Sequence, residues 1–455
     1  MDSVTSEKTP RLQILRKVRS SRIFTLLVIC AAVFTDIFLY GVLVPVIPFA
    51  LTTRVKISPS DVPRWNGILL ALFNLGLCLG SPLFGFVADR CGAASRKLPF
   101  LFGLVTLAGA TLLLCLGRTV ALLCIGRALQ GVSAAICWAV GLALLADIFG
   151  GRMGWAAGWV QWAMNAGFLL SPILGGLAYE KSGYYAVFYM GFGLLALDIV
   201  LRLSMAERSK TAPQANNASD ETQRVVVGPE GVSLGNESIQ TQKRNSYVAL
   251  VTSRRVLAAL FGCMIQSASK YAFFAVVPPF VQATFHWDSL DAGIIFLCVL
   301  LPGFLSPLVG MLSDRYGTKW LATLGFLLSV PVFASLRFVT ENTLQHKVLF
   351  GALLALMGVA LALSSTPLMA EITYAIHGKE RRQPGVWGPK GVYGVGFGLF
   401  TTAFALGGVV GSFMGGYLYQ GPGWGVFGWG FSIWCAGGAA VCALFVGSSD
   451  RIRII

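Results

Sequence analysis

Charge is what this chain is shortest of. Of 455 residues, 35 are Lys or Arg and 20 are Asp or Glu, which is 12% against 55% hydrophobic. So few charges cannot cover the surface of a soluble domain of this size. Histidine is nearly missing: His286, His346 and His377 lie far apart. No metal-ligand spacing and no catalytic constellation occurs, so neither a metal, a cofactor nor an enzyme is expected. There is no glycine-rich nucleotide-binding loop, which argues against ATP as an energy source. No CxxC occurs among the ten cysteines, and nearly all of them sit inside apolar stretches. They read as small packing residues rather than disulfides. The net charge of +15 comes with no nucleic-acid motif, and the basic residues fall in short loops between apolar blocks. That is the pattern of orientation signals in a membrane, not of a phosphate-binding groove.

Long apolar runs are what the chain has instead. Blocks at about 23–49, 66–88, 98–117, 119–147, 153–179 and 184–203 are followed by six more at about 255–283, 291–312, 320–339, 346–370, 392–419 and 423–447. Each is long enough to cross a hydrocarbon core of about 30 Å. The 53 glycines would weaken soluble helices, but in lipid they let helix backbones approach closely. The expected plan is an N-terminal tail (1–22), a six-helix bundle (23–203), a polar linker (204–254), a second six-helix bundle (255–447) and a short tail (448–455). With both tails and the linker in the cytoplasm, inside segments hold 26 of the Lys and Arg residues and outside segments seven. The opposite orientation would invert that bias. Asn217 and Asn236 match glycosylation sequons but fall in the linker, so neither is expected to carry sugar.

The two halves repeat. Residues 81–92 and 306–317 share seven of twelve positions, including Ser81/Ser306, Gly85/Gly310, Asp89/Asp314 and Arg90/Arg315. Gly167, Gly175, Gly176 and Tyr179 echo as Gly407, Gly415, Gly416 and Tyr419. The stretch G-x-x-x-D-R-x-G-x-x-x-R-K from Gly85 resembles the cytoplasmic-loop motif of the major facilitator superfamily, and the second copy from Gly310 sits in register. The resemblance covers nearly the whole chain. It implies an all-α membrane protein of twelve transmembrane helices in two six-helix bundles related by a pseudo-twofold. Such proteins work by alternating access, with the site between the halves near the midplane. Gly85 would permit a close helix crossing, and Asp89 would cap a neighbouring helix. Arg90 and Arg96 would pair with Asp147, making a cytoplasmic latch. The copy at Gly310, Asp314 and Arg315 lacks the downstream basic pair and is expected to latch more weakly.

Other motifs refine this. Gly126-Arg127-x-x-Gln130-Gly131 resembles a motif of proton-coupled members, which implies a coupling role for Arg127; a structural ion pair is the alternative. Gly167-x-x-x-Ser171-Pro172-x-x-Gly175-Gly176 resembles the antiporter motif of drug exporters, with Ser171 where that motif has Gly. Its glycines are expected to press against a helix of the other half. The first block, from Thr35-Asp36 to Pro45 and Pro48, is similar to that of vesicular amine transporters and fungal twelve-helix drug and toxin antiporters. Asp36, an acid in mid-span, is a candidate proton carrier, with a buried structural Asp as the alternative. Tyr40, Asn74, Gln130, Gln161, Asn165, Gln266, Lys270 and Phe274 are candidate cavity residues. Trp155, Trp159 and Trp162 form either a pocket wall or a lipid-facing stripe. The mid-span tally of Asp36 against Arg127 and Lys270 tilts the expected substrate toward neutral or acidic. The expected function is proton-coupled export of a small organic molecule such as a drug, toxin or secondary metabolite. An uptake carrier or facilitator is the alternative, and a receptor or sensor on the same fold is the alternative of another class. A monomer in the plasma membrane, whose partners are protons, a small-molecule substrate and lipid, completes the expectation.

Overall fold

The structure is a computed structural model that describes residues 21–43, 46–58, 61–91, 97–205, 247–287, 294–387 and 391–447. Arg96, both sequons and residues 206–246 of the linker lie outside the described residues. Every regular element among the described residues is helical.

The N-terminal half comprises α1 (Arg22–Val42), α2 (Val62–Cys91), α3 (Lys97–Leu116), α4 (Val120–Phe149), α5 (Met153–Ser182) and α6 (Tyr184–Ser204). The C-terminal half comprises α7 (Arg254–Phe285), α8 (Phe296–Tyr316), α9 (Thr318–Ser335), α10 (Leu344–Arg382), α11 (Tyr393–Gln420) and α12 (Trp424–Phe445). Eleven apolar runs are long enough to span a membrane, and one of them, Val120–Ser182, is 63 residues long. At 1.5 Å per residue that run is roughly three bilayers long. It breaks at the turn Gly150–Arg152, where Gly150 takes φ +38°, into the two spans α4 and α5. The count among the described residues is therefore twelve.

Local sequence explains some helix ends. Thr119 caps α4 by accepting from the Leu122 amide, and Thr343 caps α10 by accepting from His346. The first block ends earlier than its apolar run: α1 stops at Val42, and a separate two-turn helix, Ile47–Thr53, follows. α8 is interrupted, with the 3-10 stretch Leu301–Leu305, led by Pro302, between Phe296–Leu300 and Ser306–Tyr316.

Packing follows the pseudo-twofold. α5 lies along α1, and α11 lies along α7. Gly167 meets Ile37 and the Phe34 carbonyl, and Gly175 meets Val42. On the other side Gly407, Gly411 and Gly415 meet Met264, Ala268 and Ala272. This corrects the expectation for the α5 motif: Gly167 and Gly175 press on a helix of their own half, as does Ser171, which stands against Gly41. Gly176 faces open space, as does its counterpart Gly416. The halves join through α2 against α11 and α5 against α8. α3, α6, α9 and α12 contribute nothing to the cavities described below. Their exposed side chains, among them Phe102, Val105, Trp320 and Leu324, make the apolar coat that lipid requires.

Candidate functional site

Two carboxylates close one end of the molecule. The N-termini of α5 and α11 have no side-chain cap of their own and no acid in their first turn. Four backbone amides at each such end need acceptors. Asp89, on α2 of the first half, accepts from Gly394 (2.6 Å) and Val395 (2.8 Å) at the start of α11. Asp314, on α8 of the second half, accepts from Gly154 (2.8 Å) and Trp155 (2.9 Å) at the start of α5. Each anion therefore sits at the positive end of a helix in the opposite half. Tyr374 of α10 also donates to Asp314.

Glycine makes these approaches close enough. A Cβ on Gly85 would stand 2.3 Å from the Gly394 carbonyl oxygen, and one on Gly310 would stand 2.1 Å from that of Gly154. One step further in, Gly398 meets Ser81 and Gly158 meets Ser306. Ser81, Gly85 and Asp89 recur at intervals of four, so they share one helix face. The repeated motif is therefore the contact surface between the halves. Arg90 stacks over the Phe86 ring at 4.3 Å. One detail differs from the sequence expectation. The second latch is no weaker in its caps, since Asp314 makes the same two backbone bonds as Asp89 and adds Tyr374. Arg315 lies over Tyr316 at 5.5 Å.

Above the latch, α1, α2, α4, α5, α7, α10 and α11 line a partly open cavity with about 650 Å³ of empty space. Asp36 lines it and is 1% exposed. The Trp138 indole donates to its Oδ2 at 3.3 Å, while Oδ1 has no hydrogen-bond partner. Tyr40 and Phe73, with ring centroids 4.5 Å apart, stand beside it, and Tyr271, Phe400 and Phe404 face it from the second half. A smaller chamber of about 300 Å³ adjoins, lined by Lys270, Asn165 and the broken stretch of α8. Gln161, Gln266 and Ser365 line both.

Of the candidate cavity residues, Tyr40, Gln161, Asn165, Gln266 and Lys270 are lining residues. Phe274 stands one layer back, 5.9 Å from the Lys270 ammonium. Asn74 and Gln130 line neither chamber. Asn74 donates to the Leu70 carbonyl of its own helix. Gln130 is fully buried and accepts from Arg127 Nη1 at 2.8 Å. Arg127 lies behind Tyr40, its guanidinium carbon 5.6 Å from that ring, and forms no ion pair with Asp36. Its Nε and Nη2 find no partner. Asp36 and Lys270 form no ion pair either; the ammonium lies 4.4 Å from the centre of the Phe168 ring. Trp159 and Trp162 are more than a third exposed, so the tryptophan stripe faces outward, and Trp162 reaches Phe304 of α8.

The sequence reading missed Trp138, Phe73 and Tyr271, which carry no polar pattern along the chain. It also missed Asp198. This acid pairs with Arg202 at 2.8 Å inside α6, both nearly fully buried, and Arg202 also donates to the Phe100 carbonyl at 2.6 Å. Glu371, at the inner end of α10, is a fourth buried acid beside Asp36, Asp89 and Asp198. It accepts from Arg255 of α7 (2.9 Å), from Thr318 of α9 and from the Gly447 amide after α12 (3.1 Å), so it ties three helix ends of the second half together.

Comparison with known proteins agrees with this architecture. The sequence profile of the Major Facilitator Superfamily matches residues 29–386, and again 259–453. The chain is 32% identical over 416 residues to an uncharacterized MFS-type transporter, C18.02, of Schizosaccharomyces pombe, covering 88% of this chain and 91% of that one. It is 27% identical over 325 residues to the class B tetracycline resistance protein of Escherichia coli, covering 70% and 74%. The crystal structure of the human organic anion transporter MFSD10 (TETRAN) superposes with a TM-score of 0.70 at 16% identity, covering 92% of this chain and 99% of that one, which is a likeness of fold. With the profile match spanning most of its length and the two halves packed as the repeat requires, the chain belongs to the Major Facilitator Superfamily and is a multi-pass membrane transporter rather than an enzyme.

Proposed function

We propose that the protein exports a small organic molecule in exchange for protons, by alternating access, with Asp36 as the proton-carrying group. One observation carries this reading. Asp36 is a nearly fully buried acid in the cavity between the halves, without a cationic partner and with one oxygen unbonded. A lone carboxylate at such a depth is costly to keep ionised, so it exchanges a proton or a counter-charge as the cavity changes sides. The two Asp-to-helix latches hold one end shut. The Lys/Arg bias makes that end cytoplasmic, so the state described is closed to the cytoplasm, and both tails and the linker lie there too. Export is favoured over uptake because a tetracycline resistance protein is among the relatives, and a carrier confers resistance by removing its compound. The cavity lies within one chain, which supports a functional monomer.

The test is reconstitution in liposomes, scoring a panel of metabolites for movement driven by an imposed pH gradient. Asp36→Asn keeps an acceptor for Trp138 and should fold. It should lose pH-driven accumulation while still exchanging substrate for substrate. Undiminished pH-driven transport in that variant removes Asp36 from the mechanism.

A further inference from the structure

The central site has two chambers with opposite charge. Asp36 is the charged residue lining the larger chamber, and Lys270 is the charged residue lining the smaller. Arg127, counted among the mid-span charges in the sequence, lines neither. The tilt toward a neutral or acidic substrate therefore loses its basis: what faces the cavities is one acid and one base. The two are kept apart. Asp36 is held by Trp138 and Lys270 rests on the Phe168 ring, and no ion pair joins them.

Each end has the surroundings of a complementary site. Tyr40, Phe73, Trp138 and Tyr271 line the same chamber as Asp36, and an acid among aromatic rings suits an ammonium group. Lys270 is 4% exposed, its ammonium 4.4 Å from the centre of the Phe168 ring and 5.9 Å from that of Phe274 behind it. A ring face does not replace the hydration of an ammonium, so such a group calls for an anion. Three amides, Gln161, Asn165 and Gln266, border the same chamber and supply N–H donors beside it. Room for Asn165 exists because Gly303 stands opposite, where a Cβ would lie 2.3 Å from Asn165 Nδ2. Gly303 belongs to the interrupted part of α8, and an interruption at membrane depth is tolerated where it lines a cavity.

We infer that the transported compound is a small zwitterion, its cationic group beside Asp36 among the aromatic rings and its carboxylate reaching Lys270 past Gln161 and Gln266. The inference rests on the transport reading above and names the substrate class of the same cavity. It divides the labour between the two charges. Asp36 exchanges between proton and substrate cation, which is coupling. Lys270 contributes recognition.

The test uses 4-(ω-aminoalkyl)benzoates with one to four methylenes, their methyl esters as matched cations and their N-acetyl derivatives as matched anions. Equilibrium binding of each radiolabelled probe is measured on the purified full-length protein. At the best chain length the zwitterion should bind at least about 10-fold more tightly than either derivative. Lys270→Gln should bring the zwitterion down to the level of the ester and leave the ester unchanged, and Lys270→Arg should restore part of the difference. The inference is overturned by an ester that binds as tightly as its zwitterion throughout the series. It is equally overturned by a Lys270→Gln variant that weakens both alike, or by no binding across the series. Its failure is separable from that of the export reading. Proton-driven movement of the ester alone keeps export and removes the zwitterion. Tight zwitterion binding with no response to a pH gradient does the reverse.

Discussion

Asp89 and Asp314 each supply, from across the interface, the cap that the facing helix lacks, and this makes a single carboxylate sensitive to the state of the whole transporter. Their contacts exist only while the latched end is shut, so weakening them should shift the balance between states without unfolding either half. Asp89→Asn removes the charge and one of two acceptors. At about 1.5–3 kcal/mol for a hydrogen bond to a charged group, the latched state should lose most of that amount. Spin labels at Cys91 on α2 and at a cysteine replacing Tyr316 on α8 would report it as a population at longer distance; an unchanged distribution would count against the latch. Glu371 should behave differently, because Arg255, Thr318 and Gly447 all belong to its own half. Removing one partner of a buried pair costs about 3–5 kcal/mol, and less here because Arg255 is a quarter exposed. Glu371→Gln is therefore expected to lower the thermal unfolding temperature in detergent while leaving the spin-label distances of the latched state in place.

At the scale of the helix, α5 presents glycines on two faces with different work. Gly167 and Gly175 face α1 in the same half, while Gly154 and Gly158 face α8 in the other. A Cβ at Gly175 would come within 2.6 Å of Val42, and one at Gly158 within 2.5 Å of the Ser306 carbonyl oxygen. Gly175→Val is therefore expected to destabilise the first half itself, seen as a lower unfolding temperature. Gly158→Val should leave each half intact and hold the latched end open, seen in the same spin-label distances. If both variants shifted only stability, the division of faces would be wrong. This division was not legible in the sequence. α5 is apolar nearly all round, so its hydrophobic pattern gives no azimuth, and a motif known only by its glycines fits either neighbour. The latch was legible because Ser81, Gly85 and Asp89 recur at fours in both halves, and a polar residue on an apolar face marks a direction. Gln130 and Asn74 misled for a related reason: a buried amide needs a partner, but Arg127 and the Leu70 carbonyl satisfy that need as well as a cavity does.

On the scale of the molecule, the twelve spans and their pairing into two equivalent halves followed from block lengths and from the repeat, because the bilayer fixes helix length and backbone bonds must be satisfied within each span. The lining of the cavity did not follow, since it brings together seven helices whose residues lie up to hundreds of positions apart. Asp36 and Trp138 are separated by 102 residues, and nothing local pairs them. The orientation rests on charge, and here the structure removes one count: Arg202, read as a loop charge, is buried against Asp198 within α6. The bias of 26 to seven is wide enough to survive that loss. It therefore makes a prediction about the whole molecule. Of the ten free cysteines, Cys91 is the exposed one, and it lies two residues from Asp89 at the latched end. A membrane-impermeant maleimide should leave Cys91 unlabelled in intact cells and label it once the membrane is permeabilised, with Cys91→Ser as the control. Asn217 and Asn236 should stay free of sugar in the same cells, since a linker on that side never meets the glycosylation machinery. Labelling of Cys91 from outside would turn the molecule over: the latch would then close the outer gate, and the state described here would open toward the cytoplasm.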